Sequence, residues 1–252
     1  MDLHLAGTRV LVTGGTRGIG RAIVSAFLDE GAVVGFCARD GDAVAATQDA
    51  LRAKGEVTGT VVDVGDATAL AAWVEQSAAD LGGLDVVVAC VSALAMPDTV
   101  DNWETSLNVD LMHTVRLVKA AMPHLERSDA ASIIAISSVS GRESDFASGP
   151  YGTAKTAIVG YIHGLAMQLA PIGIRANTVS PGNTYFPGGV WESIKAGDPT
   201  FFEVAVGLNP TGHMGTPEDI AAPVVFLASS RASRVSGTNL VVDGALTRGI
   251  QL

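Results

Sequence analysis

A tyrosine and a lysine one helical turn apart are the first residues whose spacing suggests chemistry. Tyr151 and Lys155 open a predicted helix in the stretch YGTAK, and residues four apart share one helix face. An ammonium beside a phenol favours the phenolate, so such a tyrosine can give or take a proton nearer neutral pH. Ser138 precedes Tyr151 by 13 residues and directly follows a predicted strand. Its hydroxyl can hydrogen-bond a carbonyl oxygen, although YxxxK alone is a common accident.

A glycine-rich turn after the first predicted strand is the candidate cofactor site. It reads TGGTRGIG from Thr13 to Gly20 and leads into a predicted helix. Glycine lets the backbone approach a pyrophosphate closely, and a helix N-terminus offers free N–H groups and a positive dipole end. A purely structural turn is the alternative, but the position at the first strand-to-helix turn favours a dinucleotide site. The predicted contacts in this turn are Gly14, Thr16, Arg17, Gly18, Ile19 and Gly20.

Arg39 indicates which dinucleotide the site would take. It lies 19 residues beyond Gly20, just past the second predicted strand. An acid there would bind the ribose 2′-hydroxyl of NAD, whereas an arginine favours the 2′-phosphate of NADP. Arg17 can add a second positive charge. Asp40 would repel the phosphate if its carboxylate pointed inward, and a solvated surface arginine is the alternative; we predict NADP(H).

These groups need a scaffold that brings them together, and the pattern of the chain predicts a parallel sheet. Short apolar, β-branched runs alternate with longer helix-like segments, which is typical of α/β folds with right-handed crossovers. Near-continuous apolar strands indicate burial on both faces. The predicted strands are Arg9–Thr13, Val33–Cys37, Val57–Val61, Asp85–Cys90, Ser132–Ile136, Arg175–Val179 and Asn239–Val242. The predicted helices lie near 18–30, 41–54, 66–81, 102–127, 151–170 and 217–228. We therefore predict one domain over residues 1–252, a Rossmann-type doubly wound parallel sheet of about seven strands with helices on both faces.

One long segment departs from this alternation. Residues 183–210, called the lid segment below, are rich in glycine, proline and aromatic residues and follow the carboxyl end of a predicted strand. Ligands bind at such ends, and excursions of this length are uncommon unless functional. We predict a lid over a substrate pocket; an ordinary surface excursion is the alternative. The predicted substrate contacts are Ser92, Ser138, Phe146, Tyr151, Tyr185, Phe186 and Trp191.

The composition argues against several classes of partner. Hydrophobic residues make up 48% of the 252 and charged residues 17%, enough apolar material for a large core. The net charge is −10 and no Lys/Arg-rich run is present, so nucleic acid and anionic membrane would be repelled. The uncharged stretch from Thr156 to Ile174 contains glycines, a histidine and a proline, and is interpreted as a buried helix leading into a strand. Without a visible signal peptide, disulfide framework or metal-ligand spacing, we predict a cytoplasmic protein with no metal.

Taken together, the motifs resemble the short-chain dehydrogenase/reductase family. The shared motifs are TGGTRGIG, ISSVSG at 136–141, YGTAK at 151–155 and SPG at 180–182, in this order and spacing, and the resemblance covers essentially the whole chain. It is strongest to the 3-oxoacyl-carrier-protein-reductase-like branch. The resemblance implies that Tyr151 and Lys155 also contact the cofactor, and that a catalytic tetrad is formed by Asn108, Ser138, Tyr151 and Lys155. The further cofactor contacts it implies or suggests are Asp63, Val64, Cys90, Pro181, Gly182 and Thr184.

Two departures from the family pattern bear on the pocket. The family usually carries Asn-Asn-Ala-Gly after the fourth strand, where this chain reads ACVS at 89–92, so Ser92 is expected to reshape the pocket wall. The family's threonine five places after Pro181 is here Phe186, and Thr184 is expected to reach the nicotinamide carboxamide instead.

The predicted reaction is reversible hydride transfer between NADPH and a carbonyl carbon. Tyr151 would donate the proton, Ser138 would hold the oxygen, Lys155 would support the tyrosine, and Asn108 would anchor a relay water. Apolar walls suit a hydrophobic ketone or a short β-keto ester, and Lys195 is the only basic residue of the lid segment. The alternatives are a 3-oxoacyl thioester reductase, an NAD-linked alcohol dehydrogenase and a catalytically silent dinucleotide-binding regulator.

The family resemblance also implies self-association. The predicted helices 102–127 and 151–170 carry more apolar surface than one side of a sheet should need, and we predict a homotetramer with a dimer as the second choice. The apolar residues on which this rests are Leu107, Leu111, Val115, Ile158, Ile162, Leu165 and Met167.

Overall fold

Seven apolar runs form the strands of an all-parallel sheet in the computed structural model, which describes residues 2–249. The strand order is β3-β2-β1-β4-β5-β6-β7, so the chain starts in the middle, winds to one edge, crosses back and winds to the other. Every neighbouring pair is parallel. The predicted doubly wound Rossmann-type sheet is confirmed. The strands are β1 (Arg9–Thr13), β2 (Val33–Ala38), β3 (Val57–Val61), β4 (Val86–Ala89), β5 (Ser132–Ile136), β6 (Arg175–Pro181) and β7 (Asn239–Val242).

Helices cover both faces of this sheet and bury its apolar side chains. On one face α1, α2 and α9 pack through residues such as Phe27 and Val224. On the other face α3, α5 and α6 pack through residues such as Leu117 and Ile158. The α-helices of the described residues are α1 (Gly18–Asp29), α2 (Gly41–Leu51), α3 (Ala67–Leu81), α4 (Val100–Ser106), α5 (His113–Leu125), α6 (Pro150–Leu169), α7 (Val190–Gly197), α8 (Pro199–Gly207) and α9 (Pro217–Ala228).

Two predicted segments differ from the structure in detail. The helix predicted over 102–127 is interrupted by a π-helical turn, Leu107–Met112, between α4 and α5. The lid segment contains the two short helices α7 and α8 rather than an irregular excursion. The interruption matters for the site, because a π-helical turn changes which side chains face inward.

The topology fixes where a ligand can bind. Since β1 and β4 are neighbours and the chain leaves them in opposite directions, a crevice opens at their carboxyl ends. The loops after β1, β4, β5 and β6 all start at this edge of the sheet. Within residues 2–249, no helix combines the length and apolar character needed to cross a membrane, and no cluster of three or more His, Cys, Asp or Glu residues is arranged to hold a metal.

Candidate active site

A cleft of about 660 Å³ lies at the carboxyl edge of the sheet and gathers most of the predicted site residues. Its walls come from the glycine turn after β1, the loop after β4, the serine loop after β5 (residues 137–141), the start of α6 and the lid segment. The predicted site residues that line it are Gly14, Thr16, Arg17, Ile19, Gly20, Arg39, Asp63, Val64, Cys90, Ser92, Ser138, Phe146, Tyr151, Lys155, Pro181, Gly182, Thr184, Phe186 and Trp191. Three others, Asn108, Gly18 and Tyr185, do not line it.

Close backbone contacts hold the serine loop against α6. The Ser137 hydroxyl donates to the Lys155 carbonyl oxygen at 2.8 Å. A Cβ on Gly152 would lie 2.7 Å from the Ser140 carbonyl oxygen, so only glycine permits this approach. The loop that carries Ser138 is thereby fixed beside the helix that carries Tyr151.

The hydroxyl groups of Ser138 and Tyr151 both have hydrogen-bonding capacity for a ligand. Ser138 is buried, and its Oγ accepts from the Ser140 N–H at 3.1 Å, which leaves the hydroxyl proton to donate. Tyr151 is half-buried in the cleft wall, and its hydroxyl makes no hydrogen bond to the residues described. Each hydroxyl can therefore donate a hydrogen bond to a ligand in the cleft.

Lys155 lies below the tyrosine with its ammonium fully inside the protein. Its side chain is 3% exposed, and Nζ donates to the Ile136 carbonyl oxygen at 3.1 Å. Nζ also lies 3.3 Å from Asp110 Oδ1 and 5.6 Å from the centre of the Tyr151 ring. Burial opposes the charged form, but Asp110 and Tyr151 outweigh it, so the pKa of Lys155 is raised. The lysine therefore remains an ammonium.

The structure does not bring Asn108, predicted from the resemblance as the fourth member of the tetrad, to the cleft. The Asn108 amide points toward the loop after β3, where Nδ2 donates to Gly65 O at 3.4 Å and Oδ1 accepts from Arg116 Nη1 at 2.7 Å. Asp110, two residues later in the π-helical turn, is fully buried and contacts Lys155 instead. Two residues span more than half a helical turn, so these two side chains face opposite ways. An acid inside the otherwise apolar stretch VDLM was the sequence signal for Asp110.

A small polar network continues behind Lys155. Asp110 Oδ2 accepts from the Ala93 N–H at 3.2 Å, and Thr13 Oγ1 accepts from the Cys90 N–H at 3.0 Å while lying 3.3 Å from His113 Nε2. Burial lowers the pKa of His113 to about 4, despite a hydrogen bond from Nδ1 to a backbone carbonyl. Burial also raises the pKa of the Cys90 thiol to about 12, although the Lys155 ammonium opposes this. Both groups are therefore neutral near pH 7.

The glycine turn forms a cradle whose glycine positions have no room for a side chain. Gly14 has φ +77° and Gly18 has φ +50°, a region that L-residues rarely adopt. A Cβ on Gly20 would overlap the Gly14 carbonyl oxygen. Gly18 opens α1 but lies under the ring of Phe186 rather than on the cleft surface. Such a cradle at a helix N-terminus fits the pyrophosphate of a dinucleotide.

Three charged residues lie at the outer end of the cradle, and each has different surroundings. Arg39 is exposed at the rim of the cleft. The Asp40 carboxylate caps α2 by accepting from the Ala43 N–H at 2.9 Å. Arg17 Nη1 donates to the Gly188 carbonyl oxygen at 3.1 Å and so ties the glycine turn to the lid segment.

The lid segment presents only part of its aromatic surface to the cleft. Phe186 and Trp191 line it, and Phe146 on the opposite wall packs edge-on against Trp191 with ring centres 5.4 Å apart. Tyr185 instead packs against Phe202 at 5.9 Å, inside the lid's own cluster. The prediction that Tyr185 contacts substrate is therefore not supported by its position.

The loop after β4 completes the wall on the side of Lys155. Ser92 Oγ accepts from the Leu94 N–H at 3.1 Å, and Leu94 has φ +51°, a strained conformation for a leucine. Leu94 and Met96 present apolar side chains to the cleft. Across the cleft, the Thr184 hydroxyl donates to Gly182 O at 3.0 Å.

Comparisons with known proteins identify the family. A family model described as enoyl-(acyl carrier protein) reductase matches residues 14–247. The chain is 42% identical to the isoepoxydon dehydrogenase of Penicillium expansum, over 98% of this chain and 97% of that protein. It is 36% identical to the L-fucose dehydrogenase of Mus musculus, over 97% of this chain and 90% of that protein. A short-chain dehydrogenase from Burkholderia cenocepacia, solved in complex with NADP, matches with a TM-score of 0.88 and 28% identity over 96% of this chain and 98% of that chain. The chain therefore belongs to the short-chain dehydrogenase/reductase family, oxidoreductases that act on alcohol and carbonyl groups.

Proposed function

We propose that this oxidoreductase reduces a hydrophobic ketone or a short β-keto ester with NADPH. The observation that carries the proposal is the meeting of Ser138, Tyr151 and Lys155 in one cleft with the glycine turn. A silent dinucleotide-binding regulator would have no need of a buried lysine held below an available tyrosine hydroxyl.

The proposed reaction uses these side chains as follows. When bound, NADPH supplies the hydride that makes the new C–H bond at the carbonyl carbon. The Tyr151 hydroxyl gives its proton to the carbonyl oxygen, so a ketone becomes a secondary alcohol and atoms and charge balance. Ser138 donates a second hydrogen bond to that oxygen, which stabilises negative charge as it develops. Lys155 stabilises the tyrosinate left behind.

The choice of NADPH rests on the rim of the cleft. Arg39 offers an exposed guanidinium there, while the carboxylate of Asp40 is engaged as the cap of α2. The Burkholderia relative bound NADP in its crystal. We expect Arg39→Asp to weaken NADPH binding by about ten- to a hundredfold and to spare NADH, because a charge-assisted contact is lost. Fluorescence titration of both cofactors measures this, and an unchanged preference would reject the assignment.

The proposed substrate class follows from the walls of the cleft. Leu94, Met96, Phe146, Phe186 and Trp191 surround the polar end formed by Ser138 and Tyr151. An apolar wall with few polar groups suits an apolar body carrying one reacting carbonyl. Lys195, the only basic residue of the lid segment, has its ammonium 5.2 Å from the centre of the Phe202 ring, so the lid segment holds no ready site for the phosphates of a carrier-bound or CoA thioester.

The names of the two relatives favour a second candidate function. Both are named dehydrogenases, so oxidation of a secondary alcohol, with NADP+ or NAD+ as acceptor, is the alternative direction for the same site. Turnover should therefore be measured in both directions, on aryl and alicyclic ketones, the matching alcohols, and acetoacetyl-CoA. A clear preference for the CoA thioester would overturn the proposed substrate class. An absence of turnover with every carbonyl and alcohol tested would overturn the proposed catalytic activity.

The proposed assembly is a homotetramer, with a dimer as the second choice. Its support is narrower than the sequence predicted, because Ile158, Ile162 and Leu165 are buried in the chain's own core. Exposed large apolar side chains on these helical segments remain at Leu107, Met112 and Met167, the last of which is 77% exposed.

We also propose a single domain and a cytoplasmic location. One sheet built from strands between residues 9 and 242 supports the single domain. The two free cysteines fit a reducing, cytoplasmic setting.

A further inference from the structure

A buried carboxylate lies beside Lys155, where the tetrad predicted from the family resemblance expected the amide of Asn108. Asp110 is fully buried in the π-helical turn between α4 and α5. One of its oxygens lies 3.3 Å from Lys155 Nζ, and the other accepts from the Ala93 N–H of the loop after β4 at 3.2 Å. Burying a charged group costs free energy unless the group is paired, so the Asp110 carboxylate needs the Lys155 ammonium as its partner.

We propose that Asp110 is a positioning residue for the reaction: its carboxylate holds the Lys155 ammonium below Tyr151 and offsets the ammonium's charge at the tyrosine hydroxyl. The inference rests on the proposed function for its kinetic consequence. In this proposal both the negative charge and the shape of the Asp110 side chain affect the proton transfer.

The surroundings of the pair isolate the carboxylate as the partner of the lysine. From α6 the pair faces Tyr151, from α5 it faces His113, and from the loop after β4 it faces Cys90. His113 and Cys90 are neutral near pH 7, for the reasons given above. Among these groups Asp110 is the carboxylate, and it lies 3.3 Å from the ammonium.

The expected electrostatic effect has a definite sign. A carboxylate near a phenol disfavours the phenolate, and an ammonium favours it. An amide in place of the carboxylate keeps an oxygen near Lys155 Nζ but removes the negative charge. The phenolate of Tyr151 should therefore form at lower pH in Asp110→Asn, while Asp110→Ala should lose the positioning contact as well.

The test compares three variants in two readouts. In alcohol oxidation with NADP+, the acid limb of the kcat profile should move to lower pH by about one unit in Asp110→Asn, with the plateau within a few-fold of the parent. Asp110→Ala should lower the plateau by about tenfold or more, with KM little changed. The control is Ser106→Ala, which removes a buried hydroxyl of α4 that has no hydrogen-bond partner among the described residues. This variant should match the parent in both the acid limb and the plateau of the kcat profile.

The second readout needs no turnover. The chain has only three tyrosines, so the tyrosinate absorbance that disappears in Tyr151→Phe reports Tyr151 alone. Its transition should occur at lower pH in Asp110→Asn than in the parent. An inactive enzyme with this spectral shift would reject the proposed function and keep the role of Asp110; a transition that is unchanged or moves to higher pH would reject that role.

A double variant covers the case in which Asp110→Asn does not fold. Removing one member of a buried ion pair leaves an uncompensated charge, whereas replacing both with apolar residues need not destabilise. The double variant, Asp110→Leu with Lys155→Met, should then unfold at a higher temperature than the single variant Asp110→Leu, which keeps the buried lysine. Equal unfolding temperatures would mean that the two groups are not coupled, and would overturn the proposal.

Discussion

The cleft has two walls that are built in different ways. The catalytic wall, formed by the serine loop and α6, is held by backbone contacts such as that of Gly152 with Ser140 O, where a Cβ would lie 2.7 Å from the oxygen. The lid wall, formed by the lid segment, has backbone hydrogen bonds to Gly215 at its base, but its helical part packs through side chains, with aromatic ring centres 5.9 to 6.5 Å apart. Val204 on α8 is still 56% exposed.

This difference separates two tasks of an enzyme. Proton transfer needs groups fixed within fractions of an ångström, and backbone contacts with no spare volume achieve that. Selecting a substrate needs a surface that can change without loss of the fold, and side-chain packing tolerates volume-conserving change. Substitutions in the catalytic wall should therefore change kcat, and substitutions in the lid wall should change KM and the preferred substrate.

The largest effect is expected at Tyr151. Tyr151→Phe removes the proton donor and keeps the ring, so kcat should fall by about a hundredfold or more while NADPH binding is nearly unchanged. Steady-state kinetics and a fluorescence titration measure the two quantities. The matched control is Tyr161→Phe on the same helix, whose buried hydroxyl has no hydrogen-bond partner among the described residues. If Tyr151→Phe retained most of its turnover, the catalytic wall would have been assigned to the wrong residues.

A smaller but still large effect is expected from the backbone contact of Gly152. The Cβ of Gly152→Ala would press on the Ser140 carbonyl oxygen and push the serine loop away from α6. We expect kcat to fall by about tenfold, because small misplacements of catalytic groups are costly, with a lower unfolding temperature. Gly160→Ala is the control on the same helix, since its Cβ would meet nothing within 4 Å. Equal kinetics for the two variants would show that the catalytic wall tolerates side chains as the lid wall does.

Trp191 tests the lid wall in the same terms. It is 4% exposed and packs against Phe146, Phe201 and Phe202. Trp191→Ala should raise KM for the best ketone by about tenfold and leave kcat within a few-fold, since it removes apolar contact with the substrate body. Val204→Ala, an exposed position in the same segment, serves as the control. A fall in kcat at unchanged KM would mean that Trp191 belongs functionally with the catalytic wall.

The two walls also differ in how far the sequence predicted them. That Ser138, Tyr151, Lys155 and the glycine turn share one cleft could be predicted, because such chemistry requires fixed residue types at fixed spacing. The sequence could not show which of the two polar residues of LNVDLM, Asn108 or Asp110, faces Lys155, because residues two apart on a helical segment face opposite ways and packing decides which one points inward. The sheet followed from its apolar, β-branched runs. The direction of each lid aromatic could not be predicted, because it depends on packing between α7, α8 and Phe146.

The smallest effect concerns two neighbours in the lid segment that face different ways. The Phe186 ring lies against Gly18 of the glycine turn, whereas the Tyr185 ring packs on Phe202 inside the lid cluster. Phe186→Leu should therefore weaken NADPH binding by about threefold, or less than 1 kcal/mol, with unfolding temperature little changed. Tyr185→Leu should leave NADPH binding unchanged and lower the unfolding temperature by about 2–4 °C, because an aromatic pair contributes about 0.5–1.5 kcal/mol beyond its buried area. Both substitutions replace an aromatic ring with the same aliphatic side chain at adjacent positions, so a general loosening of the lid would affect them alike. Titration and thermal unfolding of the two variants side by side distinguish the outcomes; if both weakened NADPH binding equally, the lid segment would act as one body and its two faces would have no separate roles.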